Sequence, residues 1–222
     1  MAITMKKTAP VTEKKTEIRD RIIESFLVHV PFDGWSKTAL AAGVRDAGYE
    51  PCMALRVFGG GMSEVADHFS DWSDRRMLME LEKLDADVMK VRERIHAGIK
   101  TRLHLNAPYR EAIRRLASFL ALPGNAPLAA RLAWRTSSGI WYWAGDRSAD
   151  WNHYSKRGLL ASVYTSTILY WLADEADDNG DYPETWAFLD RRIEDVLRVF
   201  GLPKRLKKAF GGGPGMFRLS KG

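Results

Sequence analysis

The stretch IRDRIIESFLVHV, residues 18–30, places Ile18, Ile22, Phe26 and Val30 four residues apart. Side chains at that spacing share one face of an α-helix, so one side of this segment is apolar and the other charged. Pro31 is expected to end the helix, and Gly34 to turn the chain. Ser36 then stands as the N-cap of a second helix that carries Leu40 and Val44 and stops near Gly48. Pro51 opens a short third helix through Met53, Leu55 and Val57. Gly59, Gly60 and Gly61 interrupt the pattern after it.

Beyond the glycines, Leu81, Leu84, Val88, Val91, Ile95, Ile99 and Leu103 recur three or four residues apart with charges between them, which predicts one long amphipathic helix. Pro108 starts the next, with Ile113, Leu116, Phe119 and Leu120 inward, and the turn at Leu122-Pro123-Gly124-Asn125 separates it from a helix through Leu132 and Trp134 to Trp143. Asp150 reads as the N-cap of a helix with Leu160, Val163, Tyr164, Thr167, Ile168 and Trp171 on one side. An acidic loop, 174–181, leads to a last helix through Trp186, Leu189, Ile193, Val196, Leu197 and Phe200. No alternating strand pattern and no internal repeat occurs, so the fold class is all-α. The organisation expected is a disordered basic tail at 1–15, a helix-turn-helix-like unit at 16–70, a helical bundle at 71–200, and a short basic, glycine-rich tail at 201–222.

Hydrophobic residues make up 45% of the 222 residues, enough for a sizeable core. The net charge of +6 is concentrated near the ends, which admits an anionic membrane surface or nucleic acid as partner and says nothing about fold. One cysteine, Cys52, excludes an intramolecular disulfide and a cysteine-based zinc site. No apolar run approaches the ~20 residues of a membrane-spanning helix. The N-terminus lacks a secretory apolar core, and Glu13 and Glu17 argue against an organellar transit peptide, so bacterial cytoplasm fits best.

Catalytic patterns fail one by one. The five histidines show no His-Glu-x-x-His spacing, and Glu93 with His96 gives one Glu-x-x-His step where a di-iron bundle needs two. Aligning the acidic loop to a calcium-binding loop puts Trp186 where a bidentate carboxylate belongs. Gly59–Gly61 lacks the Gly-Lys-Ser/Thr ending of a phosphate loop, and no nucleophile elbow exists. No metal, no cofactor and no enzyme activity is expected.

Eight tryptophans are many for a helical domain, and Trp141, Tyr142 and Trp143 are consecutive. Consecutive helical residues point about 100° apart, so one face cannot bury all three rings. Two readings stay open: a ring lines a cavity, partner surface or membrane, or all three are wedged between several helices.

Three short helices followed by a long bundle resemble the layout of TetR-type repressors. The third helix, Pro51-Cys52-Met53-Ala54-Leu55-Arg56-Val57-Phe58, offers a single Arg and no amide side chain to base edges or phosphates, so nucleic acid is not expected as a partner. A ligand-responsive TetR-type repressor remains the rival reading.

A more specific resemblance lies further along. Thr101-Arg102-Leu103, Pro108-Tyr109, Leu122-Pro123-Gly124-Asn125-Ala126-Pro127, Ile140-Trp141-Tyr142-Trp143-Ala144-Gly145-Asp146-Arg147-Ser148-Ala149-Asp150, Trp151-Asn152-His153-Tyr154-Ser155-Lys156-Arg157 and Thr185-Trp186-Ala187-Phe188-Leu189 are similar to the Coq-nine family of ubiquinone biosynthesis. Phe32-Asp33-Gly34-Trp35 and Phe58-Gly59 fit it too. The resemblance spans roughly residues 16 to 200. It implies a TetR-like fold with a degenerate helix-turn-helix, a hydrophobic pocket for an isoprenoid quinone or phospholipid, and a partner, the di-iron demethoxyubiquinone hydroxylase. The lipid site it implies comprises Ile140, Trp141, Trp143, Leu160, Tyr164, Ile168 and Trp171, with Thr136, Ser137 and Thr167 as hydroxyls that could orient a head group or bond their own helices. The partner patch comprises Ile140, Asp150, Asn152, His153, Tyr154 and Arg157, flanked by Trp141. His153 stands where mitochondrial members carry a second aromatic. Those members also end in a long amphipathic helix, where this chain has the short segment Pro203 to Phe210. A homodimer and peripheral contact with the bacterial inner membrane, or the matrix side in a mitochondrion, complete the expectation.

Overall fold

The computed structural model describes residues 14–147 and 151–210, with side chains described at 14–147 and 153–198. Residues 1–13 of the expected basic tail, the expected cap Asp150 and the glycine-rich end therefore lie outside the described residues. Every regular element described is helical: α1 (Lys15–Asp33), α2 (Lys37–Asp46), α3 (Met53–Val57), α4 (Met62–Leu81), α5 (Val91–Asn106), α6 (Arg110–Leu120), α7 (Ala126–Trp143), α8 (Trp151–Ala173) and α9 (Pro183–Phe210).

The apolar face read at the start holds. Ile22, Phe26 and Val30 are fully buried with Ile23 and Leu27, and Ser36 Oγ accepts from the Ala39 N–H to start α2. Pro31 does not end α1. It sits in the last turn, and the chain leaves only at Gly34, whose positive φ of 68° and N–H bond to Val30 O close the helix.

The long helix expected from Leu81 to Leu103 is two helices. Leu84, Val88 and Val91 are exposed, and Ala86–Val88 forms a 3-10 turn. The cause is local: the Asp85 carboxylate accepts from the Asp87 N–H, offering the backbone an alternative to helix, and Glu93 Oε2 accepts from the Lys90 N–H to restart it as α5. At the other end α9 runs past the expected stop at Phe200 to Phe210. The strong helix formers from Lys204 to Ala209 outweigh the penalties of Gly201 and Pro203.

α1 packs on α2, α4 and α6, while α4, α5, α7, α8 and α9 form the bundle. The boundary placed at 70/71 falls inside α4, one continuous helix shared by both halves. Arginines from neighbouring helices serve carbonyls at helix C-termini: Arg19 donates to Val57 O, Arg94 to Ala144 O, and Arg110 to Trp171 O. Each places a cation where the helix dipole is negative.

At the α1–α2 crossing a Cβ on Gly43 would lie 2.6 Å from Phe26 Cα and 2.7 Å from its N. Backbone cannot yield as a side chain can. Gly43→Ala is expected to lower stability by about 2–3 kcal/mol, read as a reduced urea midpoint with an unchanged slope.

Candidate functional site

An apolar groove of about 650 Å³ opens between α6, α7 and α8, with α4 and α5 beneath it. Its walls are Ile113, Leu116, Ala117 and Leu120 from α6, Ala129, Leu132 and Ala133 from α7, and Ala161, Ile168 and Leu169 from α8. The alanines make the space: their side chains stop at Cβ where a leucine would fill the gap. Leu169, Thr165 and Ser162 are exposed at the mouth, whereas Leu103, Leu116 and Leu132 are buried within.

The floor is polar. Asp74 on α4 accepts from Arg102 Nε at 2.8 Å and from Thr136 Oγ1 at 2.8 Å, joining α4, α5 and α7. Arg102 Nη2 reaches Ser70 Oγ at 3.3 Å, and its guanidinium lies 5.2 Å from the Tyr164 ring centre. Ser73 Oγ donates to Asn106 Oδ1 at 3.2 Å. Ser70, Arg102, Asn106, Thr136 and Tyr164 all line the groove and are all buried.

The predicted lipid residues divide. Tyr164 and Ile168 line this groove, as does Thr136 among the hydroxyls. Ile140, Trp141, Leu160 and Trp171 are instead buried in the core, and Trp143 is half-buried against it. Ile140 is held there by a close approach, because a Cβ on Gly98 of α5 would meet Ile140 Cγ2 at 2.8 Å. Ser137 and Thr167 are buried away from the groove, Thr167 bonding Val163 O on its own helix. The three consecutive rings resolve by direction. Trp141 points in and donates to Lys156 O at 3.0 Å, Tyr142 points out under Arg147, and Trp143 lies between.

The partner patch also divides. Tyr154 is 60% exposed, stacked on Trp134 with centroids 6.1 Å apart, and His153 lies edge-on to it at 5.2 Å. Arg157 is interior: its Nη1 meets the buried Asp146 carboxylate at 3.1 Å and His153 O at 3.2 Å. With Ile140 it cannot face a partner. Asp150 and the Asn152 side chain lie outside the described residues.

Sequence reasoning missed Arg102, Asn106 and Ser70, because periodicity marks them only as polar interruptions of apolar faces. It also passed over α6. The alanines opposite one another on α6 and α7 were the available signal.

A second, larger recess of about 860 Å³ lies between α5 and α9, lined by Arg92, Glu93, His96, Lys100, His104, Asp190 and Glu194 with Leu84 and Met89. Its charges suit an apolar chain less well than the groove does. His96 pairs with Asp190 at 2.8 Å, so the Glu93–His96 step serves helix packing. Burial holds His104 below its ordinary value, against Asp181 at 3.4 Å. The acidic loop is tied to itself and to α9: Asp177 accepts from the Asn179 and Asp181 N–H groups, and Asp174 from Thr185. Among the described residues no three His, Cys, Asp or Glu side chains gather to hold a metal ion, and no helix is long and apolar enough to cross a membrane.

The class follows from the fold. The TetR transcriptional regulator of Nitrosomonas europaea superposes on this chain with a TM-score of 0.64, covering 81% of this chain and 98% of that one at 22% identity. This is an all-α protein of TetR-like fold. A family resemblance comes from sequence. The COQ9 family model matches residues 126–199, the span of α7, α8 and the start of α9. "Ubiquinone biosynthesis protein COQ9, mitochondrial" of Rattus norvegicus is 33% identical over 202 residues, and that of Homo sapiens 32%, each alignment covering 88% of this chain. The chain is similar to the COQ9 family along most of its length. It spans less than two thirds of the length of those relatives, 64% and 62%.

Burial pushes the Tyr164 phenol from its ordinary 10.0 up to about 12, with Asp74 acting the same way and Arg102 against it. A raised folded value makes this contribution full below pH 10.0 and lost as pH rises through about 12. In urea unfolding at about pH 9 and about pH 11, Tyr164→Phe is expected to lose less stability between the two than the parent chain.

Proposed function

We propose that this chain is a non-catalytic lipid-binding accessory protein of ubiquinone biosynthesis, which holds an isoprenoid quinone intermediate in the α6–α7–α8 groove and presents it to the di-iron demethoxyubiquinone hydroxylase. The groove is the observation that carries the reading. Its volume falls in the range of ligand sites, its walls are apolar, and a few buried polar groups converge at one end, the composition that binds an amphiphile. The similarity to ubiquinone biosynthesis proteins supports the pathway. α3 is five residues long with Arg56 as its one cation and Leu55 exposed, which supports a role away from DNA. The exposed Trp134–Tyr154 stack, with His153 beside it, supports a docking face on α7 and α8. Association with the membrane is peripheral in this reading, at the bacterial inner membrane or the mitochondrial matrix side, and the chain acts as a homodimer by analogy with TetR-like bundles.

Organic extraction of the purified chain followed by mass spectrometry is expected to release an isoprenoid or phospholipid in near-stoichiometric amount. Ala133→Trp fills the groove and should remove most of it while far-UV circular dichroism stays unchanged. Lipid-free parent protein that also fails to take up added quinone would overturn the reading.

Docking is tested separately. Tyr154→Ala should weaken capture of the hydroxylase severalfold without loss of helicity, as expected for an aromatic anchor. Arg157→Ala is expected to lower stability by about 3–5 kcal/mol, because it leaves Asp146 with a buried charge and one fewer partner. Unchanged capture by Tyr154→Ala would move the docking face elsewhere.

A further inference from the structure

The deep end of the groove contains a hydrogen-bond donor without an acceptor. Asn106 is 1% exposed, and its Oδ1 accepts from Ser73 Oγ at 3.2 Å. That bond orients the amide and leaves Nδ2, which has no partner among the described residues. The other polar side chains of the floor are engaged: Arg102 with Asp74 and Ser70, Thr136 with Asp74, and the Tyr164 ring with the Arg102 guanidinium. A buried donor left unmade costs about 1–3 kcal/mol, so a ligand that supplies an acceptor there recovers a penalty the empty fold carries.

Charge narrows the class of acceptor. Arg102 is the one charged side chain among the described residues lining the groove, and Asp74 neutralises it at 2.8 Å, while Arg135 and the exposed Arg131 pair with Asp67 outside the lining. Among the described lining residues no cation is left unpaired to compensate a buried anion, and an anionic head group would face the full cost of desolvation. The group that fits is neutral and carries an oxygen acceptor.

Position gives the direction. The polar residues are at the buried end, and the exposed lining residues Ala121, Ser162, Thr165 and Leu169 are at the mouth, with apolar wall between. From these observations, and resting on the lipid-groove reading above, we infer that the groove takes its amphiphile head-first, with Asn106 Nδ2 donating to a ring carbonyl of a neutral quinone-type head group and the apolar tail running out between α6 and α8. Asn106 is the specificity-determining residue: it selects the head group while the walls hold the tail without regard to chemistry.

The test is competition against Nile red for the purified full chain, with decylbenzoquinone, decylbenzene and dodecanoate as ligands. The parent chain should bind the quinone more tightly than the hydrocarbon or the fatty acid. Asn106→Leu should weaken the quinone about tenfold and leave the hydrocarbon unchanged, so that the preference disappears. Asn106→Ala gives the same reading should leucine overpack the floor. Equal loss for both ligands, an unchanged quinone affinity, or tighter binding of dodecanoate than of the quinone overturns the head-first assignment and leaves the lipid groove standing. Failure of every ligand to compete with the parent chain removes both.

Discussion

A carboxylate and a guanidinium buried together set the terms for the bundle. Asp74 and Arg102 are both over nine-tenths buried, and neither charge could be placed in the interior alone. Their bond pins α4 to α5, and the Thr136 hydroxyl on the same carboxylate adds α7, so three helices share one register. The same requirement keeps one end of the groove polar. Replacing the pair with apolar side chains of similar volume would pack as well and would leave a uniformly greasy slot. The ion pair therefore links stability to selectivity: what makes these charges tolerable inside also leaves a neutral floor on which one amide remains unsatisfied.

The aromatic block does a different task from the one its composition suggests. Trp141 and Trp171 are core residues: Trp171 packs edge-on to Tyr182, and Trp141 joins α7 to α8 by spending its N–H on a backbone carbonyl of α8. Among its described side chains only Tyr142 and Tyr154 remain well exposed, and Tyr154 stacks on Trp134, which also lines the groove. One indole thus touches both the groove and the proposed docking face, so occupancy of the groove and the shape of the surface share a side chain.

How much of this was legible follows from the range of each interaction. The buried face of α1 and the Ser36 cap depend on residues within a turn or so, and both are read correctly. The break between α4 and α5 was missed although its cause is local, because an Asx turn at Asp85 is two residues of chemistry set against an unbroken apolar period. The interhelix arginines, Arg19, Arg94, Arg102 and Arg110, have partners 28 to 61 residues away. On the sequence alone they look like solvated charges. An apolar periodicity likewise marks Leu160 and Ile168 alike as inward, and cannot say that Ile168 meets a cavity while Leu160 meets the core. Family resemblance pointed to α7 and α8, but the walls supplied by α6 came from the packing.

The most direct measurement is photolabelling of the full chain with an isoprenoid quinone bearing a diazirine in its tail, followed by peptide mapping. Labels on Leu116, Leu120, Ala133 and Leu169 are the predicted result. Labels confined to Leu84, Met89 and Leu197 would place the lipid in the recess between α5 and α9 and contradict the groove assigned here.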